Sequence, residues 1–196
     1  MPALPDDLLE FLADLADNNE RGWFQANKPR YEASVREPSL AFVAGFAENL
    51  ARVSPHFEAI PKAVGGSLFR IHRDTRFSKD KTPYKTHAGV WFKHEASRDV
   101  HAPGFYLHLE PAACFFGAGI WHPDPVTLKA LRDSIVADPA AWIAARDAVT
   151  GAGLEIGGES LSRVPRGYDK EHPCAEDLKR KDFTVSIPLP ESEVLS

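Results

Sequence analysis

Four segments with the residue pattern of β-strands follow one another along the chain, and no helical segment lies between them. They cover residues 67–73, 88–92, 105–109 and 114–120. Parallel neighbours in a sheet need a crossover connection of about a dozen or more residues, usually a helix, whereas antiparallel neighbours need only a turn. Residues 110–113 form such a short connection. The run of strands therefore predicts a largely antiparallel sheet.

Helical periodicity flanks this run of strands on both sides. Apolar residues recur at helical spacing over residues 8–15, about 29–52 and 124–149, and a late strand follows at 183–187. Pro38 must kink or divide the second helical region, and Asp138-Pro139 divides the third, because proline disrupts the preceding turn. The predicted fold class is α+β, with a largely antiparallel sheet packed with N-terminal and central helices.

The length of the chain predicts one domain that covers residues 1–196. Near its end, Pro190 and the acidic residues after it are typical of the first turn of a helix. The chain stops about one turn later at Ser196. Whether a further C-terminal helix is missing is therefore left open.

Composition excludes several classes of protein. Hydrophobic residues make up 43% of the chain and charged residues 26%, which is typical of a globular protein. No apolar run reaches about 18 residues, so we expect no transmembrane span and no membrane partner. No basic residue precedes the first apolar stretch, which argues against a signal peptide. Cys114, in an apolar run, is expected to be buried, and with Cys174 to be reduced, which favours the cytoplasm.

Positive charge is concentrated in residues 70–87 of an otherwise acidic chain. This window holds six Lys and Arg against two Asp, a net charge of +4, while the whole chain carries −5. Arginine grips a phosphate or carboxylate with a planar pair of N–H groups, and lysine adds a mobile point charge. The acidic remainder excludes a generally basic nucleic-acid binder but leaves a local basic site open.

The segment supplies the groups that a small anion site needs. The predicted ligand-binding residues are Arg70, Arg73, Arg76, Lys81, Tyr84, Lys85 and His87. The five cations would hold a phosphate or carboxylate, and the tyrosine and histidine would line the pocket. Asp74 would orient an arginine or transfer a proton, which makes it the candidate catalytic residue. The hypothesis is a site for an anionic small molecule, with enzymatic activity left open.

Two other interpretations of the same segment stay open. One is a module that binds nucleic acid or a protein through this basic surface, although the acidic remainder would repel phosphate outside a narrow patch. The other is a structural network in which Asp74 and Asp80 neutralise neighbouring cations and no ligand binds. None of these interpretations fixes the oligomeric state.

Sites of other kinds have weaker support in the sequence. The eight histidines include no HxxxH pair on a helix and the chain has no Cys-x-x-Cys, so we predict no metal site. The alternative is that His108 and Glu110, on one strand face, converge with His122 after the neighbouring strand. Gly117 and Gly119 lie in or beside a strand, which favours close backbone packing over a phosphate-binding loop. The sequence identifies no cofactor.

The basic segment also carries a resemblance to a known family. The string from Phe69 to Thr86 resembles the signature of the domain-of-unknown-function 2461 family, which is widespread in bacteria. Asn18-Asn19 with Trp23-Phe24, and Pro165-Arg166-Gly167-Tyr168, extend the resemblance over nearly the whole chain. It implies a single soluble domain and no particular activity, because none is established for the family. Its members usually continue with another helix, which fits the abrupt end at Ser196.

Overall fold

A computed structural model describes residues 4–97 and 101–195. Its helices are α1 (Asp7–Asp17), α2 (Arg21–Ala26), α3 (Lys28–Tyr31), α4 (Glu37–Val53), α5 (Pro125–Ala137), α6 (Pro139–Gly151), α7 (Ala175–Leu178) and α8 (Glu191–Val194). Its strands are β1 (Phe57–Glu58), β2 (Ala88–His94), β3 (Gly104–Leu109), β4 (Phe115–Ile120) and β5 (Phe183–Pro188). Within these residues the five strands form one antiparallel sheet in the order β1-β2-β3-β4-β5. The predicted α+β fold is confirmed.

The helices begin and end where the sequence places proline and polar residues. The predicted helix over residues 8–15 is α1, whose apolar side chains are fully buried on one face. In the second helical region a π-helical turn at Glu32–Arg36 separates α3 from α4, and Pro38 lies in the first turn of α4. The wider π-helical turn immediately before Pro38 accommodates its ring, which would crowd the preceding turn of a regular α-helix and has no N–H to donate. The predicted interruptions at Pro38 and at Asp138-Pro139 are both confirmed.

The predicted strand over residues 67–73 is wrong. The segment pairs with residues 83–91 only through isolated bridges, Leu68 with Val90 and His72 with Tyr84. The register shifts by two residues between these bridges, so no continuous ladder forms. The two segments still run antiparallel as a loose hairpin, closed by the loop at residues 74–82. The alternation that suggested a strand reflects burial of Ile71 between two exposed neighbours.

Side-chain alternation gives β2 and β3 one apolar and one polar face. Ala88, Val90 and Phe92 of β2 are buried in a core that also contains α1, and so are Leu107 and Leu109 of β3. Because successive residues of a strand point to opposite sides, the residues between them lie on the other face. Those that matter below are His87, Tyr106, His108 and Glu110.

The described chain divides into two compact units. The first comprises residues 4–96, 105–116 and 188–195, and the second residues 97, 101–104 and 117–187. The core around α1 belongs to the first unit. The second has its own apolar cluster, in which Trp142 and Phe183 pack against Ile135, Cys174 and Leu178. The single domain expected from the sequence stays a prediction.

Two smaller expectations concern the cysteines and the membrane. Cys114 and Cys174 are both free and buried, and the burial of Cys114 is as predicted. None of the described helices is both long and apolar enough to cross a membrane.

Candidate functional site

Arg73 lies where the hairpin meets its connecting loop. Its backbone N–H donates to the Pro83 carbonyl at 2.9 Å, and its guanidinium donates to the Asp80 carboxylate and the Thr82 hydroxyl. The hydrogen bond from Arg73, followed by those from Thr82, lowers the pKa of Asp80 to about 2. The carboxylate is therefore ionised at neutral pH and neutralises part of the charge on Arg73.

The tip of the loop is also paired internally. Arg76 contacts the Asp74 carboxylate at 2.7 Å, although its own side chain is 77% exposed. Hydrogen bonds from Arg76 lower the pKa of Asp74 to about 2, which makes this carboxylate a weak base at neutral pH. Lys81 Nζ donates to the Thr75 carbonyl at 2.8 Å. The geometry places Asp74 to orient Arg76 and does not favour it as a proton acceptor.

A hollow of about 360 Å³ lies between α2 and the base of the hairpin. Its lining residues are Arg21, Gln25, His72, Arg73, Thr75, Pro83 and Tyr84. They include two arginines and a histidine but no carboxylate. The side chain of Arg21 has no hydrogen bond or ion pair with any other residue that the structure describes.

The wall of this hollow is fixed by contacts between the hairpin and the helices. The Tyr84 ring is 3% exposed and stacks on Phe24 with ring centroids 4.1 Å apart. Asn19, between α1 and α2, donates from Nδ2 to the Tyr84 carbonyl at 3.0 Å, and its Oδ1 accepts from the Tyr84 amide at 3.1 Å. These paired bonds hold the hairpin against α2, so the lining is preorganised.

A second group of polar side chains lies on the face of β2 and β3 opposite the core. His87, His108 and Glu110 each bring one nitrogen or oxygen within 4.8 Å of the others. His108 Nε2 lies 2.9 Å from Glu110 Oε2, and its side chain is 12% exposed. Thr86 donates to Glu110 Oε1 at 2.9 Å, and the Tyr106 hydroxyl lies 3.1 Å from His108 Nδ1. We call these five residues the polar cluster.

One cation of the predicted set, Lys85, lies beside the polar cluster, and Arg70 lies near both Lys85 and Asp74 of the loop. Lys85 is half-buried, with its Nζ 5.1 Å from the centre of the Phe69 ring. Burial lowers the pKa of Lys85, and the nearby charge of Arg70 lowers it further. Neither cation has an ion pair or side-chain hydrogen bond with another described residue. The predicted set is thus divided: Arg73 and Tyr84 line the hollow, Lys85 and His87 lie at the polar cluster, and Asp74, Arg76 and Lys81 lie in the loop, while Arg70 lies near Lys85 and Asp74.

The imidazole of His87 is held in its neutral form. Burial lowers the pKa of His87 to about 4, helped by the charges of His108 and Lys85 and opposed by Glu110. A neutral imidazole keeps a lone pair that can accept a proton or bind a metal ion. Burial raises the pKa of Tyr106 to about 12, so its hydroxyl remains protonated at neutral pH.

The low pKa of His87 predicts a loss of stability in mild acid. Between pH 6.5 and about 4 the unfolded chain binds a proton at this position that the folded chain does not, so unfolding becomes easier as the pH falls. Urea unfolding across this range, in the presence of a chelator, measures the effect. His87→Gln is expected to flatten this part of the profile, because glutamine does not take up this proton. Parallel profiles for wild type and His87→Gln would contradict the assignment.

Comparison with known families identifies the chain. A family model described as a conserved hypothetical protein, DUF2461, matches residues 7–196. The chain belongs to this family. The resemblance inferred from the segment Phe69 to Thr86 is therefore confirmed. Neither a curated protein nor a solved structure shows significant similarity to the chain.

The segment Phe69 to Thr86, which carries the resemblance to DUF2461, supplies residues to both the hollow and the polar cluster. Each of these sites also contains residues from elsewhere in the chain. Arg21 and Gln25 enter the hollow from α2, outside that segment. A signal for them was present, because Asn18-Asn19 and Trp23-Phe24 also carried the resemblance. His108 and Glu110 do share a strand face, but their third neighbour is His87. His122, expected as that neighbour, instead contacts Asp182 in the second unit.

Proposed function

We propose that the hollow between α2 and the hairpin binds a small molecule through a phosphate or carboxylate group held between Arg21 and Arg73. The observation that carries this proposal is the lining, in which two arginines and a histidine share a hollow with no carboxylate. No lining residue carries a negative charge that could offset the two arginines, and a bound anion would supply that charge. Arginine suits this role because its planar N–H groups match the oxygens of either anion.

Arg73 keeps donors for a ligand although it is paired. Its bonds to Asp80 and Thr82 both start from Nη1. A guanidinium has five N–H donors, so Nε and Nη2 remain for a guest. The contact with Asp80 also fixes the direction of the guanidinium plane. Arg73 is thus oriented by one carboxylate and able to bind another anion.

The other lining residues indicate the size and character of the ligand. A volume of about 360 Å³ is within the range of small-molecule sites. Gln25, His72 and Thr75 offer further hydrogen-bonding groups, while Pro83 and Tyr84 provide apolar surface. This combination favours a small organic phosphate or carboxylate over an extended polymer.

At the tip of the loop, the contacts favour the interpretation of the basic segment as a structural ion-pair network that binds no ligand. Arg76 and Asp74 neutralise each other there, and Lys81 is bonded to a backbone carbonyl. Exposed pairs of this kind contribute little to stability because solvent screens them. We therefore assign these residues to the shape of the loop and place the anion in the hollow.

Titration with inorganic phosphate, and separately with succinate, tests the proposal. At constant ionic strength, at least one of the two is expected to raise Tm and to give a saturable heat of binding. Arg21→Gln should weaken that binding about tenfold or more, because a hydrogen bond to a charged group contributes roughly 1.5–3 kcal/mol. The Arg21 side chain is exposed and has no hydrogen bond or ion pair among the described residues, so folding is expected to be preserved.

Arg76→Gln is the matched control. Like Arg21→Gln, it removes one positive charge, but Arg76 lies in the loop and does not line the hollow. It should therefore leave the dissociation constant for the anion unchanged. Equal weakening by Arg76→Gln and Arg21→Gln would show diffuse attraction only and would contradict the proposal. So would the absence of saturable binding by either anion. A single-stranded oligonucleotide that binds with steep salt dependence, where both anions fail, would favour the nucleic-acid module instead.

A further inference from the structure

We infer that the polar cluster is a binding site for a divalent transition-metal ion, with His87, His108 and Glu110 as its protein ligands. Two imidazoles and one carboxylate are a ligand set that suits zinc and neighbouring first-row ions. The inference stands apart from the proposed anion function, since none of these residues lines the hollow. We take zinc as the reference ion.

The three ligand groups are close to the spacing that a metal needs. Their ligand atoms lie within 4.8 Å of one another, and His108 Nε2 and Glu110 Oε2 are 2.9 Å apart. The ligands of a tetrahedral zinc lie about 3.3 Å apart, given bonds of about 2.0–2.1 Å. Rotation of the side chains as the ion binds would have to close the remaining difference. The contact between His108 and Glu110 holds two of the ligands together before the ion binds.

Two further residues orient the ligands from behind. If Nε2 of His108 faces the metal, Nδ1 carries the proton and donates it to the Tyr106 hydroxyl, 3.1 Å away. Thr86 holds Oε1 of Glu110 at 2.9 Å, which leaves Oε2 for the ion. Hydrogen bonds of this kind fix the tautomer and direction of metal ligands, and their loss costs roughly 10–100-fold in affinity.

The sheet makes the ligand positions rigid. His108 lies on β3 and Glu110 directly follows that strand two residues later, so they share a face, and His87 directly precedes β2, the neighbouring strand. The Phe115 ring stacks on His108 at 4.8 Å and covers one side of it. Ligands on strands are held more precisely than ligands on loops.

The charges around the cluster indicate what the fourth ligand of the ion is. Glu110 offsets one of the two positive charges of the ion. Lys85, which has no ion pair with a carboxylate among the described residues, lies close enough to His87 to act on it electrostatically and adds positive charge to the surroundings. A neutral fourth ligand would leave this excess charge uncompensated. We therefore expect the fourth position to be occupied by an anion or hydroxide, as in an open rather than a closed zinc site.

Zinc binding to the full chain, freed of metal by a chelator, tests the inference. Wild type is expected to bind one zinc ion in competition with a chromophoric chelator, and cobalt is expected to give visible absorption bands. Glu110→Gln and His87→Gln should each weaken zinc binding about 100-fold or more, and Thr86→Val about tenfold, because it loosens a ligand without removing one. The control is His56→Gln, which disrupts an exposed histidine–carboxylate pair with Glu95 and should have no effect.

Melting curves of the metal-free variants establish whether each one folds. If His87→Gln or Glu110→Gln folds poorly, Thr86→Val carries the test, since it alters no ligand. Failure of wild type to bind zinc at micromolar concentration would overturn the inference. It would also be overturned if His56→Gln reduced binding as much as Thr86→Val does. The phosphate titration of Arg21→Gln is independent of all these outcomes, so failure of one site is distinguishable from failure of the other.

Discussion

Replacing Asp182 by alanine is expected to lower the free energy of unfolding by about 2–4 kcal/mol. The Asp182 side chain is 1% exposed and accepts from the backbone amides of His122 at 2.6 Å and Glu159 at 2.8 Å. Alanine would leave both donors without this acceptor, and an unsatisfied buried group costs roughly 1–3 kcal/mol. His122 also has a φ of +47°, an unfavourable conformation for a non-glycine residue that the Asp182 contacts support.

The contribution of Asp182 to stability is expected to depend on pH. Burial would raise its pKa, but hydrogen bonds from the two amides and the contact with His122 outweigh burial and lower it below 3.8. The stabilisation is therefore present above that pH and is lost as the pH falls through the lowered pKa.

Urea unfolding of Asp182→Ala at neutral pH measures the loss. Glu159→Gln is the control, because that carboxylate is 63% exposed and its backbone amide is kept, so little stability should be lost. Equal losses would contradict the assigned role.

The parts of the fold that sequence predicted correctly depend on local chemistry. The division at Asp138-Pro139 could be read from two adjacent residues, since Asp138 caps α6 and proline suits its first turn. The strand over residues 67–73 failed because its status depends on register against residues 83–91. A shift of two residues between the bridges leaves no trace in the apolar alternation of either segment.

The candidate sites show the same limit. Charge counting located the basic segment, and the resemblance located the family, but neither could distribute the cations between a hollow, a loop and a sheet face. Arg21 reaches the hollow from a different helix, and His87 meets His108 across two strands. No spacing rule describes such pairs, because the fold alone sets their distance. Asp74 and Asp80, which lie among the cations of the basic segment, left its function ambiguous at the level of sequence. A carboxylate that orients an arginine for a ligand also neutralises the charge of that arginine.

Replacing Gly119 by alanine is expected to destabilise the second unit by about 3 kcal/mol or more. A Cβ at this position would lie 2.0 Å from the Phe183 carbonyl oxygen and 2.8 Å from Thr184 Cα, both in the backbone of β5. Backbone atoms cannot rotate away, so β4 and β5 would have to separate. The φ of Gly119 is +131°, which an alanine rarely adopts. The close backbone packing expected at this glycine is confirmed.

Gly151→Ala separates this effect from the general cost of changing a glycine. Gly151 ends α6, has no atom within 4 Å of its Cβ position and has no positive φ, so alanine there should stabilise the helix by up to about 1 kcal/mol. The two variants add the same methyl group to the same unit, and the expected changes in the urea midpoint have opposite signs. A Gly119→Ala protein with wild-type stability would mean that β4 and β5 do not approach as closely as these distances require, and the register at β5 would then need revision.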